Sequence, residues 1–197
     1  AFFADQDKFK ELYERAERNT RLRKKTISAT ELFSQFMEER KNTGRIYLQN
    51  VDNANSHSSF LEDVAPIRQS NLCAEIDLPT KPLNDFNDED GEIALCTLSA
   101  INWGRIKSPE EFAKPCELAV RGLDALLTYQ DYPVKAAENA TAGRRPLGVG
   151  IINLAYWMAK NGMTYTQPDL DMIDTYAEAW SYYLIKASAD LAEEQGA

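Results

Sequence analysis

Two short apolar stretches, each followed by a helix signal, constrain the fold of this chain most. Residues 92–102 and 147–152 have the length and composition of strands. Ser108, Pro109 and Glu111 then form a helix start, with serine as the N-cap and proline in the first turn. A helix reaching Gly162 is predicted after the second stretch. Strands that alternate with helices predict an α/β fold with mostly parallel strands.

The rest of the pattern is largely helical. Residues 5–18 are amphipathic, and residues 28–31 resemble a capping box that opens a second helix ending near Gly44. We expect the helix after Ser108 to reach about Tyr129, with a kink or restart at Pro115. The last helix has apolar residues at spacings of three and four over residues 170–191. The second helix is expected to bury an apolar face made of Leu32, Phe33, Phe36 and Met37. Residues 45–50 are expected to form a short strand, and residues 143–146 are expected to form a turn.

Composition narrows the possible functions. The length of 197 residues predicts one domain segment without an internal boundary. The net charge of -9 disfavours nucleic acid or a membrane as partner. No apolar run approaches the roughly 20 residues that span a bilayer, and no signal peptide opens the chain. Three scattered cysteines and one histidine disfavour a structural metal site. Reduced thiols in a cytoplasmic protein are therefore expected.

A stretch with an amide, a thiol and a carboxylate is the first candidate site. In an extended chain, Asn71, Cys73 and Glu75 would share one face, about 7 Å apart per step. A half-exposed strand with polar residues outward is one interpretation, and a site for a small substrate is the other. A carboxylate disfavours a neighbouring thiolate, and no histidine lies near in sequence. If Cys73 is reactive, radical chemistry on a neutral thiol fits better than nucleophilic attack.

The other two cysteines are open to two interpretations each. Cys96 lies on the strand face shared by Ala94, Leu98, Ala100 and Asn102, either as a core thiol or as a redox thiol that forms a transient disulfide. Cys116 falls on an apolar helical stripe, which favours core packing.

Three further features give weak signals. The glycines in residues 147–153 are spaced as in a dinucleotide-binding loop, but Asn153 replaces the third, so close backbone approach is the simpler interpretation. Arg144 and Arg145 could meet a phosphate, although arginines in a turn usually face solvent. His57, in a polar loop, is expected at the surface.

Six segments resemble, in order, the large catalytic subunit of class I ribonucleotide reductase of the bacterial aerobic type. The likeness covers essentially the whole chain. The segments are TGRIYLQNVD at 43–52, SNLCAE at 70–75, PTKPLND at 79–85, GEIALCTLSA at 91–100, LDALL at 123–127 and GRRPLGVG at 143–150.

The resemblance implies roles for the candidate residues. Cys73 resembles the cysteine that becomes a thiyl radical and takes the 3′-hydrogen of a ribonucleoside diphosphate. Glu75 resembles the base for the 3′-hydroxyl proton, and Asn71 the amide that positions the hydroxyls. Cys96 resembles one of two cysteines that reduce C2′ and end as a disulfide. Asn71, Glu75 and Leu98 are the expected substrate contacts.

The resemblance also implies a fold and partners. The family fold is a ten-stranded α/β barrel of two five-stranded halves, with the radical cysteine on a finger loop inside. The partner of Cys96 and the ATP and dNTP effector sites lie upstream in such proteins, and the radical-relay tyrosines lie downstream. No cofactor is expected in this segment, because the radical comes from a metal-containing small subunit. A homodimer and reduction by thioredoxin or glutaredoxin are also implied.

Two other functions remain open from the sequence. One is an inactive paralogue or a fragment that serves as an interaction domain. The other is a related glycyl-radical enzyme, which would need a glycine-radical loop near the C-terminus of the full-length protein, outside this segment. Taken alone, the segment is expected to be inactive.

Overall fold

A computed structural model describes residues 5–196 of the chain. They divide into two compact units, one that ends at Pro79 and one that begins at Thr80. The α/β content agrees with the predicted class, and the single domain segment without an internal boundary stays a prediction. The first unit contains α1 (Gln6–Arg18), α2 (Ala29–Thr43) and α3 (Val51–Ser56). The second contains β1 (Thr97–Asn102), α4 (Ala113–Tyr129), α5 (Lys135–Arg144), β2 (Leu147–Ile152), α6 (Leu154–Lys160) and α7 (Leu170–Gln195), with 3-10 helices at Trp103–Arg105 and Pro109–Phe112.

Both predicted helices of the first unit form, but their apolar faces are not buried. The N-cap Asp5 accepts a hydrogen bond from the backbone N–H of Lys8 at 2.7 Å. Ser28 is the N-cap of α2 but makes no capping bond with its side chain, so the predicted capping box is absent. Leu32 and Phe33 were expected inward and are 54% and 60% exposed. The expectation that these two side chains are buried is therefore wrong for the described residues, 5–196.

The predicted strand at residues 45–50 is also wrong. This segment is irregular and pairs with no other described strand. A strand needs a neighbour for its backbone N–H and C=O groups. Here the carbonyl of Ile46 instead accepts a hydrogen bond from the Arg40 guanidinium at 2.5 Å.

An aromatic cluster forms the core of the second unit. Trp103, Phe112, Trp157 and Tyr176 are all buried. Ring centroids lie 5.3 Å apart for Trp103 and Trp157 and 4.8 Å apart for Trp157 and Tyr176. Such edge and tilted contacts add to the free energy gained by burying the rings. The cluster joins the end of β1 to α6 and α7, and so fixes the sheet against the helices.

The two strands β1 and β2 pair in parallel, as predicted. Thr97 pairs with Leu147, and the register runs without a break to Asn102 and Ile152. Ile101 packs with Cys116 in the core, so the face of β1 that carries Ile101 is covered by α4. The opposite face is the more open one, with Leu98 and Ala100 exposed.

Most helix predictions in this unit are confirmed. A 3-10 turn follows the N-cap Ser108, and α4 restarts at Ala113. Pro115 then lies in the first turn of α4, where its missing N–H costs little. The long helix α7 begins after Asp169, which caps the N–H of Met172 at 3.0 Å. The predicted turn at 143–146 is shorter than expected, because α5 extends through Arg144 and turns only at Arg145, with φ 44°.

Candidate functional site

The stretch with Asn71, Cys73 and Glu75 forms a tight loop rather than an extended strand. Ser70 and Asp77 form an antiparallel bridge at its base. The N–H of Ala74 donates to the carbonyl of Asn71 at 3.1 Å, and Ala74 has φ 61°. The extended geometry expected from the sequence is therefore wrong. A left-handed residue three positions before Asp77 of the bridge breaks the alternation of side chains that a strand requires.

The side chain of Asn71 holds this loop together. Its Oδ1 accepts hydrogen bonds from the backbone N–H groups of Glu75 and Ile76, both at 3.1 Å. The Ser70 hydroxyl donates to the carbonyl of Ile76 at 3.1 Å. Asparagine commonly satisfies backbone donors in turns in this way. Oδ1 is therefore the end of this amide that binds the backbone of the loop.

Cys73 and Glu75 lie in the same loop and are exposed. The loop is anchored by polar contacts within the first unit. The Gln49 amide donates to Asp77 at 2.8 Å. Buried Asn55 donates to the carbonyl of Ile67 and accepts from its N–H, both at 2.8 Å. Neither Gln49 nor Asn55 is predicted as an anchoring residue from the sequence, because a polar side chain in a loop gives no periodic signal.

An open cleft of about 660 Å³ lies beside the loop, within the first unit. Ser70, Ala74 and Asp77 from the loop contribute to its wall, and so do Asn53 and His57 from the region of α3. His57 is exposed, as predicted, and its Nδ1 lies 2.9 Å from the Ser56 hydroxyl. The loop therefore borders a polar groove with amide, hydroxyl and imidazole groups.

Cys96 and Leu98 lie together in the second unit, where Gly148 of β2 makes room for them. A Cβ atom built on Gly148 would lie 3.2 Å from the Cys96 Sγ and 2.5 Å from the Leu98 Cδ2. Both side chains therefore lie on the face that the alternation predicted. Close approach is also the role expected for a glycine in this strand. Cys96 is half-buried and Leu98 is exposed.

Asn153, which stands where the third glycine of a dinucleotide-binding loop would be, has a structural role. Asn153 has φ 66° and precedes α6. Asparagine tolerates this left-handed conformation better than most residues. Its Nδ2 donates to the Asn102 Oδ1 at 3.1 Å, which ties together the ends of the two strands. Asn153 is therefore a structural link here.

Both arginines of the predicted turn form ion pairs instead of facing solvent. Arg144 pairs with Glu92, which also binds Lys81 Nζ at 2.7 Å. Arg145 donates to the Asp124 carboxylate at 2.5 Å. Burial by itself would raise the pKa of Glu92, but its hydrogen bonds with Arg144 and Lys81 outweigh this effect and hold the pKa below its ordinary value. The solvent-facing interpretation is thus wrong, and the ion pair of Glu92 fixes the segment that leads to Cys96.

Cys116 is a core thiol, as predicted. It is fully buried, and its Sγ lies 3.9 Å from the carbonyl oxygen of Trp180. Burial raises the pKa of the Cys116 thiol to about 11. It is therefore neutral at physiological pH.

Residues 5–196 contain neither a metal-ligand cluster nor a membrane-spanning helix. No group of three or more His, Cys, Asp or Glu side chains in this range is arranged to hold a metal ion. None of the helices in the same range is long and apolar enough to cross a bilayer.

Comparison with known proteins agrees with the resemblance in the sequence. The family described as "Ribonucleotide reductase, barrel domain" matches residues 2–197. The chain is 59% identical to the ribonucleoside-diphosphate reductase subunit alpha of Haemophilus influenzae and 57% identical to the ribonucleoside-diphosphate reductase 1 subunit alpha of Escherichia coli K12, over its whole length. It is 48% identical to the subunit alpha of phage T4, again over its whole length. In each case the chain spans 26% of the length of the relative. The chain belongs to the ribonucleotide reductase barrel-domain family.

Proposed function

We propose that this chain is the central part of the large catalytic subunit of a ribonucleoside-diphosphate reductase. The whole protein then reduces ribonucleoside diphosphates to 2′-deoxyribonucleoside diphosphates, the precursors of DNA. The observation that carries the proposal is the family match over residues 2–197, together with relatives named as subunit alpha of this reductase. The polar loop with Cys73 and the sheet face with Cys96 supply the groups that this reaction needs.

The loop supplies the groups for the first step. Cys73, as a thiyl radical, takes the 3′-hydrogen atom of the ribose, so that an S–H bond forms and a C3′–H bond breaks. Glu75 accepts the 3′-hydroxyl proton, which becomes more acidic once C3′ is a radical. Asn71 donates from Nδ2 to the ribose hydroxyls. Its use of Oδ1 for the backbone supports this role, because it fixes the plane of the amide.

The sheet face supplies reducing equivalents for the second step. Cys96 and a cysteine upstream of this chain together give two electrons and two protons. The 2′-hydroxyl leaves as water, C2′ gains a hydrogen, and the two thiols end as a disulfide. Glu75 then returns the proton to the 3′-oxygen and Cys73 returns its hydrogen atom to C3′, so that the S–H bond breaks, the C3′–H bond forms again and the thiyl radical is restored. Thioredoxin or glutaredoxin then reduces the disulfide in the cytoplasm. Leu98 contacts the substrate, a role supported by its position beside Cys96 over Gly148.

The remainder of the subunit completes the fold. We infer that β1 and β2 are two strands of a ten-stranded α/β barrel and that the loop with Cys73 is its finger loop. The exposed apolar face of α2 supports a larger protein, because an apolar patch of this kind normally marks an interface. A metal-containing small subunit supplies the radical, a second large subunit completes a homodimer, and ATP or dNTP effectors bind outside this segment.

The test uses the full-length subunit with its radical-supplying partner. Cys73→Ala is expected to abolish turnover and leave nucleotide binding nearly unchanged, because only the hydrogen-atom acceptor is lost. Cys116→Ala is the matched control, since this buried thiol lies outside the proposed machinery. It should keep both properties. Substantial turnover by Cys73→Ala contradicts the radical assignment and favours the interpretation of the family match as an inactive paralogue.

The second thiol needs its own measurement. Cys96→Ser is expected to stop multiple turnovers with a dithiol reductant, because no disulfide can form. Its nucleotide binding should match that of the wild type. A normal steady-state rate in this variant contradicts the redox role of Cys96.

A further inference from the structure

The surroundings of Gly148 differ from those of Gly150, the other glycine of β2. Gly148 pairs with Leu98, and Gly150 pairs with Ala100, so both lie on the same face of the sheet. A Cβ on Gly150 would meet only the carbonyl oxygen of Ser99, at 3.9 Å, which is ordinary contact. A Cβ on Gly148 would meet two side chains at 2.5 and 3.2 Å. Neither glycine has a positive φ, so space alone distinguishes them.

The two contacts at Gly148 differ in how they can relax. Leu98 is 62% exposed, and the atom concerned is the end of its side chain, so a rotamer change can relieve that contact. Cys96 is half-buried and has a short side chain with one rotatable bond. A methyl group at position 148 must therefore move the Cys96 Sγ by some tenths of an ångström or turn it to another rotamer. Either change alters where the thiol lies relative to the sheet.

We propose that Gly148 is a positioning residue for the second half of the reaction. Its missing side chain lets the Cys96 thiol and Leu98 lie side by side over β2, with the sulfur held where it meets C2′ of the ribose. This inference rests on the proposed redox role of Cys96. Reaction rates are sensitive to small displacements, and about 1 Å can cost 10²-fold. A shift of some tenths of an ångström is therefore expected to lower kcat about tenfold.

The experiment compares Gly148→Ala with Gly150→Ala in the full-length subunit, assayed with its radical-supplying partner and a dithiol reductant. We expect Gly148→Ala to lower kcat about tenfold, and Gly150→Ala to stay within about twofold of the wild type. Alkylation of Cys96 by iodoacetamide, followed by mass spectrometry, should change rate in Gly148→Ala only. A general loss of stability would not give this combination. Equal kcat values and equal alkylation rates in the two variants overturn the inference.

Two further variants keep the test decisive. If Gly148→Ala fails to fold because of the 2.5 Å contact, Leu98→Ala removes that contact. The double variant Leu98→Ala, Gly148→Ala is then expected to be about tenfold slower than Leu98→Ala alone, and equal rates overturn the inference. Cys96→Ser separates the two claims. Normal turnover in Cys96→Ser refutes the proposed function of this thiol, whereas its loss combined with a normal Gly148→Ala refutes only the role of Gly148.

Discussion

The ion pair of Glu92 gives a prediction whose size follows from burial. Glu92 is 8% exposed and binds both Arg144 and Lys81. Its backbone also exchanges hydrogen bonds with Lys81, at 3.1 and 3.2 Å, and the N–H of Ile93 donates to the carbonyl of Ala136 at 3.0 Å. We expect Glu92→Gln to loosen residues 81–96, because glutamine keeps the shape but removes the charge.

The loss of stability expected for Glu92→Gln depends mainly on Arg144. Breaking a buried ion pair costs about 3–5 kcal/mol, because the remaining charge loses its partner. The Arg144 side chain is 19% exposed, and water offsets part of this loss. The Lys81 side chain is 57% exposed and contributes little. We therefore expect a loss of about 2–3 kcal/mol, or an increase of about 30- to 150-fold in local opening.

Hydrogen exchange of the full-length protein, read by mass spectrometry on peptides from residues 81–96, measures this opening. Glu138→Gln is the matched control, since Glu138 pairs with Lys135 at 3.1 Å and both side chains are about half exposed. Equal exchange in the two variants would refute the reasoning. The pKa of Glu92 is below its ordinary 4.5 in the folded protein. Its stabilisation is therefore present above pH 4.5 and is lost as the pH falls through the lower folded value.

Two further predictions concern Asn71 and Cys116. Asn71→Asp keeps the Oδ1 acceptor and loses the Nδ2 donor, so it should preserve slow hydrogen exchange of the Glu75 and Ile76 amides but lower turnover. Asn71→Ala should lose both the slow exchange and the turnover. Fast exchange in Asn71→Asp counts against the role of Asn71 in holding the loop. Because the pKa of Cys116 is about 11 rather than 9, the native protein should lose stability between pH 9 and 11 more steeply than Cys116→Ala does, measured by denaturant unfolding at each pH. Equal slopes would contradict this.

The sequence predicted those elements whose signal is periodic. The strand pair β1 and β2 and the helices α4 and α7 follow from apolar spacing, and the structure has each of them. The helix α5 was missed because its buried residues are mainly alanines, at 136, 137 and 140, which give little contrast with the polar face. The loop around Cys73 was predicted as extended, because its shape depends on the bonds of the Asn71 side chain and on the left-handed backbone of Ala74. Neither of these features can be seen in the alternation of side chains that predicts a strand.

The two candidate thiols are held in place by different forces. The loop around Cys73 depends on a few hydrogen bonds. Those from Asn71 and Ser70 are neutral and worth about 0.5–1.5 kcal/mol each, and the one from Gln49 to the Asp77 carboxylate is worth about 1.5–3 kcal/mol. Cys73 and Glu75 are exposed, so burial of these two side chains adds nothing to these bonds. Cys96, in contrast, lies against the backbone of β2, next to a strand pair that is fixed by α4 and the aromatic core. The position of Cys96 is therefore largely set within this segment, whereas the position of Cys73 depends on the hydrogen bonds of its loop; under the proposed function, further contacts from the full-length subunit fix it.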